Sequence, residues 1–179
     1  MKKIASLFAL TATALAPVSQ AESAFQASLT PEIALVEQGA LVKGLALNIW
    51  GDNQVRGINL GFVNQQSRDS LGFTWSFLGG TVENYKGVIF GGFFTQSTGD
   101  VVGWQAALVN LNQGSMTGLQ TGFLNYSQNM TGLQLGFINY AKQMHGVQIG
   151  LANIVEENPW FDAFPEKLAY GFPFVNWSF

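Results

Sequence analysis

Apolar and polar side chains alternate along this chain with a period of two. In residues 132–139, Leu133, Leu135 and Phe137 are separated by Gln134 and Gly136. Val147, Ile149 and Leu151 stand in the same relation to Gln148 and Gly150, and Ile58, Leu60 and Phe62 repeat the pattern upstream. Period two predicts strands with one bulky apolar face and one face of glycine and amide. A helix would bring glycine onto glycine at i and i+4 and leave no apolar stripe. It would also lose about 1 kcal/mol for each interior glycine. Turn chemistry separates the runs, as in Gly51-Asp-Asn-Gln54, Gln96-Ser-Thr-Gly-Asp100 and Tyr126-Ser-Gln-Asn129. About eight to ten strands are predicted, from Phe25–Val36 to a C-terminal strand over 168–179.

The strands belong to a repeat. Gly118-Leu-Gln-Thr-Gly-Phe-Leu-Asn125, Gly132-Leu-Gln-Leu-Gly-Phe-Ile-Asn139 and Gly146-Val-Gln-Ile-Gly-Leu-Ala-Asn153 follow one another at intervals of 14 residues. Met116, Met130 and Met144 precede them at one offset. Copies at 57–64 and 103–110 are close to this pattern, and weaker echoes lie at 44–51, 72–79 and 87–94.

Met1-Lys2-Lys3, the apolar run Ile4–Leu15 and Ser19-Gln20-Ala21 form the three parts of a cleavable secretory leader, predicted over 1–21. Residues 22–179 then form one β-repeat domain. Without Lys2 and Lys3 the balance is 6 basic against 11 acidic residues, net −5. That balance, with no basic cluster, argues against nucleic acid as a partner. The chain has no cysteine, which excludes disulfides, thiolate metal sites and a lipidated N-terminal cysteine.

Only 11% of the residues are charged, against about 25% in ordinary soluble proteins. Glycine and glutamine, rather than Lys, Glu and Thr, stand opposite the apolar face. That composition predicts a small antiparallel outer-membrane β-barrel of about eight to ten short repeated strands. Its function would be structural or passive permeation, in the cell outer membrane. Leu133, Leu135, Phe137, Val147, Ile149 and Leu151 would then face outer-membrane lipid. Gln105, Gln120, Gln134 and Gln148, with Asn59 in the 57–64 copy, would line the lumen. The alternative is a soluble β-solenoid or stacked sheet in the periplasm or at the cell surface. It would act as a binding module, with Leu133, Leu135 and Phe137 as a dry core and the Gly/Gln face shown to a polymer or protein. The eight-residue unit is short for a membrane strand, which needs roughly 9 to 11 residues.

The octet Gly-x-Gln-x-Gly-x-x-Asn, over Gly44 to Asn153, resembles a family of bacterial envelope surface-repeat proteins known mainly from sequence. The resemblance implies envelope location and repeated strands, and it brings no activity. The ending Val175-Asn-Trp177-Ser-Phe179 resembles the terminal strand of outer-membrane barrel proteins. That second resemblance implies that Val175, Trp177 and Phe179 form a signal read by the barrel-assembly machinery. Pro173 departs from the pattern, since it removes a ladder donor.

No catalytic, cofactor or metal motif is present. His145, the single histidine, falls at a turn with no serine or carboxylate at a motif spacing. Glu156 and Glu157 are adjacent on an extended segment and point apart, which suits solvation rather than a calcium site or an acid pair. The protein is therefore expected to be non-enzymatic, with the row of glutamines as its foremost functional candidate. Residues 158–165 interrupt the repeat before the last strand.

Overall fold

A computed structural model of the protein describes residues 22–158 and 171–179. The expected leader at 1–21 and the segment 159–170 lie outside the described residues. The elements are β1 (Glu22–Thr30), β2 (Ile33–Ala34), β3 (Leu41–Asp52), β4 (Gln54–Gly91), β5 (Phe94–Ser97), β6 (Val101–Ala106), β7 (Val109–Glu157) and β8 (Gly171–Ser178). A straight strand of 49 residues, the length of β7, would reach roughly 160 Å. Instead β4 and β7 wind back over themselves, and extended backbone rises through a parallel β-solenoid. Parallel register joins Val42 to Val55, Tyr85 to Val101 and Val101 to Met116.

Glycine sets the winding. Gly44, Gly57, Gly72, Gly87, Gly103, Gly118, Gly132 and Gly146 all adopt positive φ, between 123° and 152°. A Cβ on any of the last seven would lie 1.9–2.2 Å from the carbonyl oxygen of the column glycine one turn earlier. No other residue fits that conformation and that approach. Eight glycines in one column mark about seven turns. A second bend falls where two consecutive side chains point outward, as at Phe123-Leu124, before Asn125 turns back in.

The interior is filled by side chains. Val42 and Val55, then Val101, Met116, Met130 and Met144 form one buried column. Ala46, Asn59, Thr74, Ile89, Gln105, Gln120, Gln134 and Gln148, each two residues after a column glycine, form another.

This architecture overturns the expected antiparallel barrel. A barrel pairs each strand with its neighbour in opposite sense. Here antiparallel pairing, among the described residues, is confined to β1 with β2 and β7 with β8. The physical reason lies in the 14-residue unit, which is one complete coil with two bends rather than one strand and a turn. Each copy therefore lands on the preceding copy with its direction unchanged. The expected transmembrane strands, the porin-like pore and the permeation role fall with the barrel. The solenoid is the observed form, but with its faces reversed from the arrangement expected for it. Leu133, Leu135 and Phe137 are not a dry core; the amides are inside.

Candidate functional site

The interior amides form one directed network. Gln148 Nε2 donates to Gln134 Oε1 (2.7 Å), Gln134 Nε2 to Gln120 Oε1 (2.7 Å), and Gln120 Nε2 to Gln105 Oε1 (3.1 Å). Gln105 Nε2 then donates to Thr95 Oγ1 (3.0 Å), whose hydroxyl donates to Asn110 Oδ1 (2.6 Å). From there the chain turns back: Asn110 Nδ2, Asn125 Nδ2 and Asn139 Nδ2 donate in turn to Asn125, Asn139 and Asn153, each at 2.8 Å. Two ladders of opposite polarity thus meet at Thr95, and bonds aligned head to tail reinforce one another. Gln105, Gln120, Gln134 and Gln148 are completely buried, and Asn59 nearly so. They sit in a packed interior, where buried amides need partners, and the ladder supplies them except at its end, where Gln148 Oε1 has none among the described residues. The aligned asparagines Asn110, Asn125, Asn139 and Asn153, which end the octets from 103 onward, complete the network, although sequence reasoning nominated only the glutamines and Asn59.

The apolar side chains make the outer surface. Leu133, Leu135 and Val147 are half-buried, and Phe137, Ile149 and Leu151 are exposed. Large exposed hydrophobics extend over the other turns, among them Ile58, Phe73, Trp75, Phe77, Trp104 and Phe123. Rings meet between turns, with Phe123 stacked on Phe137 at 4.8 Å and Phe90 edge-on to Trp104 at 4.8 Å. Trp104 Nε1 donates to Thr121 Oγ1 (2.9 Å), so that indole carries its polar edge already paired.

Charge is excluded from this surface. The arcs 45–50, 58–63, 73–78, 88–94, 104–109, 119–124, 133–138 and 147–152 contain no Asp, Glu, Lys, Arg or His. Lys43, Arg56, Lys86 and His145 stand immediately before column glycines, while Arg68, Asp69, Glu83, Asp100, Lys142, Glu156 and Glu157 lie on the far side of the coil. The solenoid is therefore amphipathic about its long axis. No protein-family model matches the chain, and neither a curated protein nor a solved structure matches it.

The remaining candidates are dispersed. His145 is exposed, its ring edge-on to Phe179 at 5.7 Å. Glu156 accepts a hydrogen bond from the Tyr140 hydroxyl, which pushes the Tyr140 pKa up to about 12. Glu157 accepts from Gln143 Nε2 and pairs with Lys142 at 3.8 Å. Among the described residues no three His, Asp or Glu side chains converge. Val175 and Trp177 lie on β8 opposite Ile149 and Val147, so this strand covers the last turn of β7. Phe179 is exposed beyond it. A covered terminal edge is protected from pairing with another chain.

Proposed function

We propose that the protein is an exported β-repeat binding module that holds a lipid surface through its charge-free apolar side. The observation that carries this reading is the inverted polarity: amides fill the coil while Leu, Ile, Phe and Trp project from eight successive arcs. Eight strands at about 4.8 Å spacing, each contributing five residues, span roughly 35 by 17 Å. A contiguous apolar patch of that size exceeds what an ordinary soluble monomer leaves in water.

Lipid suits this surface for two reasons. Peptide groups in the coil bond from turn to turn, so the face enters an apolar medium without orphaned N–H or C=O groups. The surface also rounds the bend at residues such as Phe123-Leu124, and fluid acyl chains follow a convex shape that a rigid partner meets only in part. Attachment is to one leaflet, with the charged side of the coil in water. The leader-like segment 1–21 and the resemblance to envelope surface-repeat proteins both support an exported location.

Flotation with phosphatidylcholine vesicles tests this. The processed chain should float with neutral vesicles at both low and high salt, because apolar attachment is not screened. The double change Phe123→Ser, Phe137→Ser should move it to the bottom fraction while the chain stays folded, with only the modest fall in melting that loss of one ring stack brings. A native chain that stays at the bottom, or that floats only with anionic vesicles at low salt, contradicts the proposal.

A further inference from the structure

Where β1 and β2 meet the apolar arcs of β3 and β4, the surface forms an open cleft of about 690 Å³. Leu29 and Leu35 form one wall, and Ile49, Phe62 and Trp75 form the other. Each of these side chains is more than two-fifths exposed, so all of them have apolar area left to bury. The floor holds Ser28 and Asn48, whose polar atoms are already engaged. Ser28 Oγ lies 2.7 Å from Asn48 Oδ1, and Asn48 Nδ2 donates to Asn59 Oδ1 and Asn64 Oδ1. Among the described residues no charged side chain lines the cleft.

We infer that this cleft binds a single long aliphatic chain, with its head group left in water at the mouth. The volume is within the range of small-ligand sites, roughly 300–1,000 Å³. A polar ligand would find no vacant donor or acceptor on the floor. Burial of methylene after methylene is the interaction that the lining offers. The inference extends the lipid-binding reading from a surface to one defined site, and it rests on that reading only in the chemistry of the partner.

The test is a titration of the processed chain with cis-parinarate in vesicle-free, detergent-free solution, followed by displacement with straight-chain carboxylates of eight to sixteen carbons. Saturable binding at one equivalent is expected, and affinity should rise about fourfold per added methylene until the cleft is full. Oleate and a lysophosphatidylcholine of equal chain length should compete within a few-fold of each other, since only the chain is held. Leu35→Glu places a charge in one wall, and Ile49→Trp fills the space without a charge. Each should weaken binding at least tenfold, with melting unchanged because both side chains are exposed. Phe137→Ser, on the same outer face but several turns away, should leave the titration unaltered. Non-saturable binding, an equal loss in Phe137→Ser, or a head-group preference above tenfold overturns the inference. One-to-one parinarate binding without vesicle flotation would remove bilayer attachment and leave the cleft standing; flotation without saturable binding would do the reverse.

Discussion

The turns before residue 101 and those after it share one backbone path and differ inside it. After 101 the position two residues beyond the column glycine is always glutamine: Gln105, Gln120, Gln134 and Gln148. Before it the same column holds Ala46, Asn59, Thr74 and Ile89. The later turns are joined by amide ladders. The earlier ones are packed case by case, with Asn64 Nδ2 donating to Ser76 Oγ and the Tyr85 hydroxyl 2.9 Å from Thr74 Oγ1. The column glycine alone is common to all eight positions. The winding is therefore dictated by the glycine corner, and the interior is free to be amide or apolar.

The sharpest way to break this comparison is at the corner. Gly72→Ala in the early turns and Gly132→Ala in the late turns both force a Cβ to within 2.0–2.2 Å of a carbonyl oxygen at positive φ. Each should cost about 3 kcal/mol or more in denaturant unfolding, to a similar extent in both regions. A loss confined to the late turns would mean that the ladders, not the corners, hold the coil.

Alkaline pH separates the two regions next. Burial pushes the Tyr85 phenol up to about 12, against an ordinary value of 10. A raised folded-state pKa means that its contribution is complete below pH 10 and is lost as pH rises from 10 to 12. The loss is on the order of 2 to 3 kcal/mol. Tyr140 in the late turns is also raised to about 12, by its hydrogen bond to Glu156, but it lies near the surface, where solvent screening leaves little of that contribution. Amide exchange should therefore show the early turns opening first over that range, and Tyr85→Phe should remove the early onset.

A smaller effect belongs to the ladder. Gln134→Leu takes away one bond from Gln120 Oε1 and one from Gln148 Nε2, yet Ser127 Oγ and the Ile154 carbonyl remain as their partners. Thermal unfolding should register a loss of about 1 to 2 kcal/mol. Ile89→Val in the same column of the early turns should cost about 1 kcal/mol through lost packing alone. The smallest effect is expected for Lys142→Ala, which breaks a half-exposed ion pair and should change stability by less than about 1 kcal/mol.

Much of the local structure is legible in the sequence. Alternation of Leu133, Leu135 and Phe137 with Gln134 and Gly136 specifies a strand and the identity of its two faces. Equal spacing of the octets specifies that they are structurally equivalent. The direction of neighbouring strands is not legible in the same way, because side-chain alternation is identical in parallel and antiparallel sheets. The clue lies in positions 6 and 7 of the octet, Phe123-Leu124 and Phe137-Ile138. Two outward apolar residues in succession mark a bend inside the copy rather than the continuation of a straight strand. The amide network was half visible, since the asparagines recur as regularly as the glutamines. Its union at Thr95 depends on a residue that no repeat pattern distinguishes. The cleft was not visible at all, because it arises where Leu29 and Leu35 of a non-repeating region fold against Ile49 and Phe62.

Nitroxide labels at Thr117, Thr131 and His145 test the central claim most directly. All three are exposed and stand immediately before column glycines on successive turns. In a parallel coil, labels at 117 and 131 are one strand spacing apart, about 4.8 Å, and labels at 117 and 145 are two apart. Dipolar broadening should therefore be stronger for the Thr117→Cys, Thr131→Cys pair than for the Thr117→Cys, His145→Cys pair. An antiparallel sheet would send 131 to the opposite end of its strand and reverse that order. Stronger broadening between 117 and 145 would contradict the solenoid.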